Sequence, residues 1–304
     1  ESTISKPKEL GIQTLEQLSL KELVPYIDWS PFFRSWDLHG KFPNILTDEV
    51  VGEQATILFD DAKKMLKEII SKQSLKPKAI FGLFEANSVN HDDILISKKG
   101  KEVATFRTLR QQLKKREGKS SFALADFIAP LDSGKQDYMG AFCTTIFGAH
   151  ELTEIYKKQE DDYNAIMAQA LADRLAEAFA EYLHFKVRTS HWGYTSNENL
   201  TNEELIEENY KGIRPAPGYP ACPDHLEKET IWELLKVEEK IGVKLTESLA
   251  MWPAASVSGY YFANQEARYF GLGKIIKDQL TDYANRKNIT EVEATKWLNP
   301  ILKN

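Results

Sequence analysis

Ala79-Ile80-Phe81-Gly82-Leu83-Phe84, then Asp93-Ile94-Leu95-Ile96, then Val103-Ala104-Thr105-Phe106 decide the fold. Each is a short run rich in β-branched and aromatic side chains, and the gaps between them carry the Asn, Asp and Gly of turns. They read as consecutive antiparallel strands. Two more are expected downstream over residues 122–129 and 138–147, joined by the turn-rich Asp132-Ser133-Gly134-Lys135. Further strands are expected over 243–247, 256–262 and 268–275.

On either side the period becomes helical. Met167, Leu171, Leu175, Ala178, Tyr182 and Leu183 make a wide apolar stripe on a helix over 162–187, with Asp173, Glu177 and Glu181 stepping along its polar flank. Upstream, Val51, Ala55, Leu58, Ala62, Met65 and Ile69 mark a helix from an N-cap at Thr47 to Lys72, and Ser19 with Glu22 has capping-box spacing in a helix over 14–24. Residues 26–36, Tyr-Ile-Asp-Trp-Ser-Pro-Phe-Phe-Arg-Ser-Trp, form an aromatic-dense loop or strand. Thr201 with Glu204 boxes the start of a short helix ending near Gly212. Another helix is expected over 227–240, and two close the chain, the last capped by Thr290 with Glu293. With no repeat, low-complexity tract or linker, the 304 residues read as a single α+β domain with a mostly antiparallel sheet.

Composition narrows the function. Lys+Arg 39 against Asp+Glu 45 gives a net charge of -6, interspersed along the chain, so no basic field favours nucleic acid or anionic lipid. Cys143 and Cys222 alone exclude a disulfide framework and an all-cysteine metal site, which fits a reducing compartment. No apolar run reaches the roughly 18 residues of a membrane span, and the polar start Glu1-Ser2-Thr3 carries no signal segment, so a cytoplasmic location is expected. A chain that opens without Met in a polar stretch is expected to be a processed product or a piece of a longer polypeptide.

Two regions carry chemistry. Residues 212–225, Gly-Ile-Arg-Pro-Ala-Pro-Gly-Tyr-Pro-Ala-Cys-Pro-Asp-His, hold four prolines, which exclude helix and central strand and leave a stiff loop. Arg214 at its edge is preorganised for a carboxylate, Gly218 admits a ligand close to the backbone, and Tyr219 offers a ring for stacking. A rigid connector with Arg214 in a structural ion pair fits the same residues equally. Cys222 and His225 do not make a zinc site, since no second cluster supplies the remaining ligands; His225 instead precedes a helix that Asp224 can cap. The second region is Asp28, set among Tyr26, Trp29 and Phe32, where a lone charge is costly and a backbone amide, an Arg or a ligand must partner it. Glu177 and Asp173 read more economically as a solvated helix face than as a glycosidase pair. Gly271-Leu272-Gly273 lacks the third glycine of a dinucleotide fingerprint.

Four segments, in order and spread over nearly the whole chain, carry a resemblance: Ile-Asp-Trp-Ser-Pro-Phe-Phe from Ile27, Ala-Leu-Ala-Asp-Arg-Leu-Ala-Glu-Ala-Phe-Ala-Glu from Ala170, the proline loop from Gly212, and Met-Trp-Pro-Ala-Ala-Ser-Val-Ser-Gly from Met251. They closely resemble the C-terminal activation domain of cobalamin-dependent methionine synthase. The resemblance implies that S-adenosylmethionine binds along the edge of a twisted, C-shaped antiparallel sheet, through Asp28, Glu177, Arg214, Ala216, Gly218 and Tyr269. Arg214 would face the ligand carboxylate, Glu177 and Asp28 its ammonium and ribose hydroxyls, and backbone at Ala216 and Gly218 its adenine. Phe270 stands where a second tyrosine is expected and removes a hydroxyl contact; Tyr260 stands where tryptophan is common. The implied role is to present the ligand's methyl for reductive remethylation of cob(II)alamin, with an electron from a flavodoxin-type or other reductase, and so to reactivate the enzyme. Cobalamin and zinc are implied in other modules, because the chain lacks Asp-x-His-x-x-Gly, a zinc-cysteine site and a folate domain. The chain is thus expected to be a fragment of a modular methyltransferase, catalysing nothing alone, with residues 1–24 or so connecting to a preceding cobalamin-binding module. From the residues alone two other readings stay open: a free-standing acid–base hydrolase using Glu177 and Asp28, and a docking module without a small ligand.

Overall fold

The computed structural model describes residues 4–303 apart from 117 and 119, so the polar start at residues 1–3 lies outside the described residues. Strand β1 (Gly11–Leu15) pairs with the first half of the long β2 (Lys76–Val89), and β3 (Asp93–Lys98) with its second half on the same edge. Outside β3 lies β4 (Lys101–Arg107), while β5 (Asp137–Phe147) takes the other edge of β2. A two-residue ribbon of β6 (Lys244–Leu245) and β7 (Met251–Trp252) stands apart, and β8 (Ser256–Tyr261) pairs with β5. Every pairing is antiparallel, and the sheet is open, in the order β4-β3-β2-β5-β8.

Both faces of this sheet are covered, which is why β2 and β5 read as nearly unbroken apolar runs. Ala79, Phe81 and Leu83 share one core with α1 (Leu20–Leu23), α2 (Ser30–Arg34), α3 (Gly52–Lys72), α4 (Ala149–Lys158) and α5 (Asp162–Lys186). Ile80, Phe84 and Ala86 point the opposite way, as the two-residue period requires. They join a second core with α7 (Glu227–Leu235) and α8 (Val237–Ile241), which follow the short α6 (Asn202–Ile206). A third, smaller cluster holds α9 (Lys277–Lys287) and α10 (Glu291–Leu298) around Tyr283. No helix among the described residues is long and apolar enough to cross a membrane.

The α+β class, β2 to β5, β8, α5 and the capping box at Thr201 follow the sequence closely, and Thr290 caps the last helix by accepting from Glu293 N–H without the return bond of a box. Elsewhere tertiary bonds override local pattern. The helix expected over 14–24 shrinks to α1, because residues 11–15 pair with β2 and Ser19 caps only Lys21 N–H. Asp48, not Thr47, prepares α3: its Oδ1 accepts from the amides of Val50 and Val51 at 2.9 and 3.0 Å, while the Thr47 hydroxyl donates to the Asn44 carbonyl. Residues 26–36 are largely helical, with Pro31 in the first turn of α2 where its missing N–H is no loss. The expected strand at 122–129 is a 3₁₀ turn (Leu124–Phe127), wound by Asp126, which accepts from Ala123 N–H at 2.9 Å and pairs with Arg110 at 2.7 Å. The helix expected over 227–240 breaks at Lys236 (φ 57°) into α7 and α8. That expected near Gly212 ends at Ile206, and the strand expected over 243–247 keeps only the two residues of β6. Residues 268–275 form no strand; Leu272 N–H bonds the Pro220 carbonyl and Ile275 N–H the Ile301 carbonyl.

Candidate functional site

The proline loop is laid along the outer edge of β8. Ile213 and Phe262 exchange both backbone hydrogen bonds at 3.0 Å, and Tyr260 N–H donates to the Pro215 carbonyl at 2.9 Å. Gly259 makes this approach feasible, since a Cβ there would lie 2.5 Å from the Pro215 oxygen and 3.4 Å from Ala216 Cα. Beyond Ala216 the chain turns back: Tyr219 N–H reaches the Ala216 carbonyl and Gly218 N–H the Cys222 carbonyl at 2.7 Å. Gly218 has φ +93°, and a Cβ on it would meet the His225 ring at 2.3 Å. Its glycine is therefore required by the loop's own packing, and Gly218 is not among the residues lining either cavity described below.

Opposite the loop, the last turns of α5 carry Glu177, Glu181 and His184. Arg214 reaches back to them: Nη2 pairs with Glu181 Oε2 at 2.7 Å, and Nη1 lies 3.2 Å from His184 Nδ1 and 3.3 Å from the Tyr210 hydroxyl. The structural ion pair that the sequence left open thus exists, while the Arg214 side chain keeps 19% exposure. Tyr269 completes the frame, its hydroxyl accepting from Arg214 N–H at 3.0 Å and meeting Tyr210 at 2.9 Å. Beneath, the fully buried Arg188 makes a two-toothed pair with Glu198 at 2.7 and 2.8 Å. Burial, then the two guanidiniums, press the His184 imidazole well below its ordinary range, so it is neutral. Burial also pushes the Tyr269 and Glu208 groups up.

Two adjoining cavities share Glu177, Glu208 and Arg214. The larger, about 540 Å³, is walled by Phe142, Pro215, Ala216, Tyr219, Val257, Tyr269 and Phe270 and is mainly apolar. The smaller, about 140 Å³, is polar and bounded by Tyr26, Asp28, Arg174 and Glu181. One apolar chamber suited to a flat ring and one charged chamber suited to a zwitterion meet at the Arg214 guanidinium. Asp28 Oδ1 accepts from Ser30 N–H at 3.0 Å, so a backbone amide is its partner. Among the described residues no group of three His, Cys, Asp or Glu side chains is placed to hold a metal ion.

A family model described as "Vitamin B12 dependent methionine synthase, activation domain" matches residues 19–288. The chain belongs to that family. A solved structure, the MetH reactivation domain bound to AdoHcy, is 52% identical, covers 99% of this chain and 93% of its own, and superposes with a TM-score of 0.96.

Of the eight residues expected to touch ligand in this activation domain, the fold brings Glu177, Arg214, Ala216, Tyr219, Tyr269 and Phe270 around the larger cavity and places Asp28 across Glu177 in the smaller one. Gly218, within the loop, lines neither cavity. Sequence reading passed over Tyr210, Glu208 and His184 and saw Glu181 only as part of a polar flank. The signal for Glu181 and His184 was present, because 177, 181 and 184 recur at four- and three-residue steps on α5, and Arg188 continues the spacing in the turn that follows it. Tyr210 had no local signal, and its role comes from Arg214 and Tyr269 folding over it. Gly271, dismissed as part of a nucleotide fingerprint, lines the larger cavity by its backbone position.

Proposed function

We propose that the paired cavities bind S-adenosylmethionine and present its methyl group to reduced cobalamin carried by another module of methionine synthase, restoring the inactive enzyme. The observation that carries this reading is the meeting of an apolar and a charged chamber at one guanidinium. The donor set suits the ligand: Arg214 for the carboxylate, Glu177, Asp28 and Glu208 for the ammonium and ribose hydroxyls, and Tyr219, Phe270 and the backbone at Ala216 for the adenine. Bound there, the ligand supplies an electrophilic sulfonium methyl. The chain's own residues then hold and orient it, with no proton to move, so positioning is the contribution expected of them. Membership of the family supports a cobalamin-binding module as partner, and a flavodoxin-type or other reductase as electron donor completes the scheme. That membership also displaces the hydrolase and docking readings.

Titration calorimetry on the full chain, with chelator present, should show saturable binding of both S-adenosylmethionine and S-adenosylhomocysteine at one site. Absence of binding for both ligands refutes the proposal.

A further inference from the structure

Arg214 is held from behind by two side chains on α5, and this hold explains more than its charge. A guanidinium has five N–H donors. Both hydrogens of Nη1 have acceptors, His184 Nδ1 at 3.2 Å and the Tyr210 hydroxyl at 3.3 Å, and one hydrogen of Nη2 is directed to Glu181 Oε2 at 2.7 Å. Nε has no acceptor among the described residues, and Nη2 carries a second hydrogen beside the one that pairs with Glu181, so the Nε/Nη2 edge is the side with which this arginine can grip a carboxylate in two parallel bonds. His184 can serve as an acceptor only as the neutral tautomer that carries its proton on Nε2, since Arg214 has nothing to accept with. That Nε2 is buried and has no partner among the described residues. The ring is fixed instead by stacking on Tyr261, with centroids 5.2 Å apart. Glu181, 9% exposed, has no other hydrogen-bond donor among the described residues; Arg188 Nη1 stands 3.8 Å from its second oxygen, while Nε and Nη2 of Arg188 are engaged with Glu198.

We propose that Glu181, assisted by neutral His184, is a positioning residue that aims the Nε/Nη2 edge of Arg214 at the ligand carboxylate and thereby sets the preference for ligands that retain their amino-acid end. The proposal rests on the function given above; Glu181 lines the smaller cavity, and the role assigned to it acts through Arg214. Its effect is confined to one end of the ligand. Loss of Glu181 lets the guanidinium swing among the remaining acceptors, and the adenosine chamber, built from the loop and from Tyr269 and Phe270, stays as it was.

The test compares S-adenosylhomocysteine with 5′-methylthioadenosine, which keeps the adenosine and thioether and lacks the amino-acid end. Glu181→Gln should weaken the first about tenfold or more, the scale of a hydrogen bond to a charged group, and the second by less than about twofold. His184→Leu should show the same selective loss to a smaller degree, and His184→Asn, whose side-chain oxygen can take the place of Nδ1, should restore wild-type affinity. Equal losses for both ligands, or no loss for either, overturn the proposal. Should Glu181→Gln fail to fold, the His184 pair decides on the same criteria. A ligand-free measurement separates this inference from the function itself. The Arg214 15Nε relaxation, assigned by loss of its signal in Arg214→Lys, should report a guanidinium held rigid in the ligand-free wild type and mobile in Glu181→Gln. If neither ligand binds the wild type, the proposed function falls, and guanidinium mobility indifferent to Glu181 then overturns the positioning role as well.

Discussion

Arg214 is a structural residue through its pair with Glu181 and, in the proposed site, a recognition residue too, and its substitutions should reveal the two roles separately. Truncation to Ala removes the ligand's carboxylate partner and also leaves Glu181 buried without its cation. Arg214→Ala is therefore expected to weaken S-adenosylmethionine by about 1.5–3 kcal/mol and to lower the melting temperature as well. Lys should recover much of the stability and only part of the affinity, because an ammonium cannot offer two parallel donors. Calorimetry beside a thermal melt checks both, and unchanged affinity in Arg214→Ala would remove the carboxylate assignment. Glu177 belongs to both chambers. If it meets the α-ammonium, Glu177→Gln weakens S-adenosylmethionine and S-adenosylhomocysteine alike; a loss confined to the charged sulfonium ligand places it beside sulfur instead. Equal affinity of wild type and mutant for both ligands returns Glu177 to a solvated face. At this scale part of the candidate site was legible, since Arg214 and Asp28 stand out by residue type against their neighbours, whereas Glu177 read as a solvated helix face and entered only through the family resemblance. Gly218 was legible as a special position but not as to why, because the His225 ring it accommodates comes from the loop's closure on itself.

The proline loop depends on what lies under it. Asp224 at its end accepts from Leu226 N–H at 2.8 Å and from the Tyr283 hydroxyl on α9, so the loop is tied to the third core. Burial, ahead of the adjacent Glu227, pushes the Asp224 carboxyl up to about 7. The folded protein keeps a proton there that the unfolded chain releases near pH 4, so between about pH 4 and 7 the fold binds more protons and loses stability as pH rises. The melting temperature should accordingly fall from pH 5 to pH 8, and Asp224→Asn, which is neutral throughout, should flatten that slope. An identical slope in the mutant would exclude Asp224 as its source. On the other side of the loop, Gly259→Ala should push Pro215 off β8 and weaken ligand binding while the rest of the sheet holds, a result visible as reduced affinity with near-native circular dichroism. Elements were read well where one strong period governed them, as in α5 and β2. They were misread where a partner decided: Gly11–Leu15 has too few apolar residues to announce a strand and is one because β2 offers an edge. Residues 268–275 look like a strand, yet their amides are claimed by Pro220 and Ile301 from two different directions.

For the whole molecule, ligand binding and methyl transfer should separate. The described residues hold no site for a corrin that the sequence or structure identifies, so the chain mixed with cob(II)alamin, a reductant and labelled S-adenosylmethionine should form little methylcobalamin. Covalently joined to a cobalamin-binding module it should do so readily, since tethering raises the local concentration of the docking faces to about the millimolar range. Rapid transfer by the chain alone would refute this division of labour. Lys41, exposed near the Asp28 region and paired with Glu207 at 3.0 Å, contributes little to stability. Its reversal to Glu is expected to slow reactivation in the tethered protein and to leave ligand affinity in the chain untouched. The position of the proline loop has one more consequence, for solubility. An open sheet ends in unpaired amides and carbonyls that invite a second molecule to add a strand. Here β8 is covered by Ile213 and Pro215, and neither Pro215 nor Pro217 has an N–H with which to continue the ladder. The segment that frames the candidate site also terminates the sheet, so substitutions that loosen it expose an aggregation-prone edge, and solubility and the shape of the site depend on the same prolines.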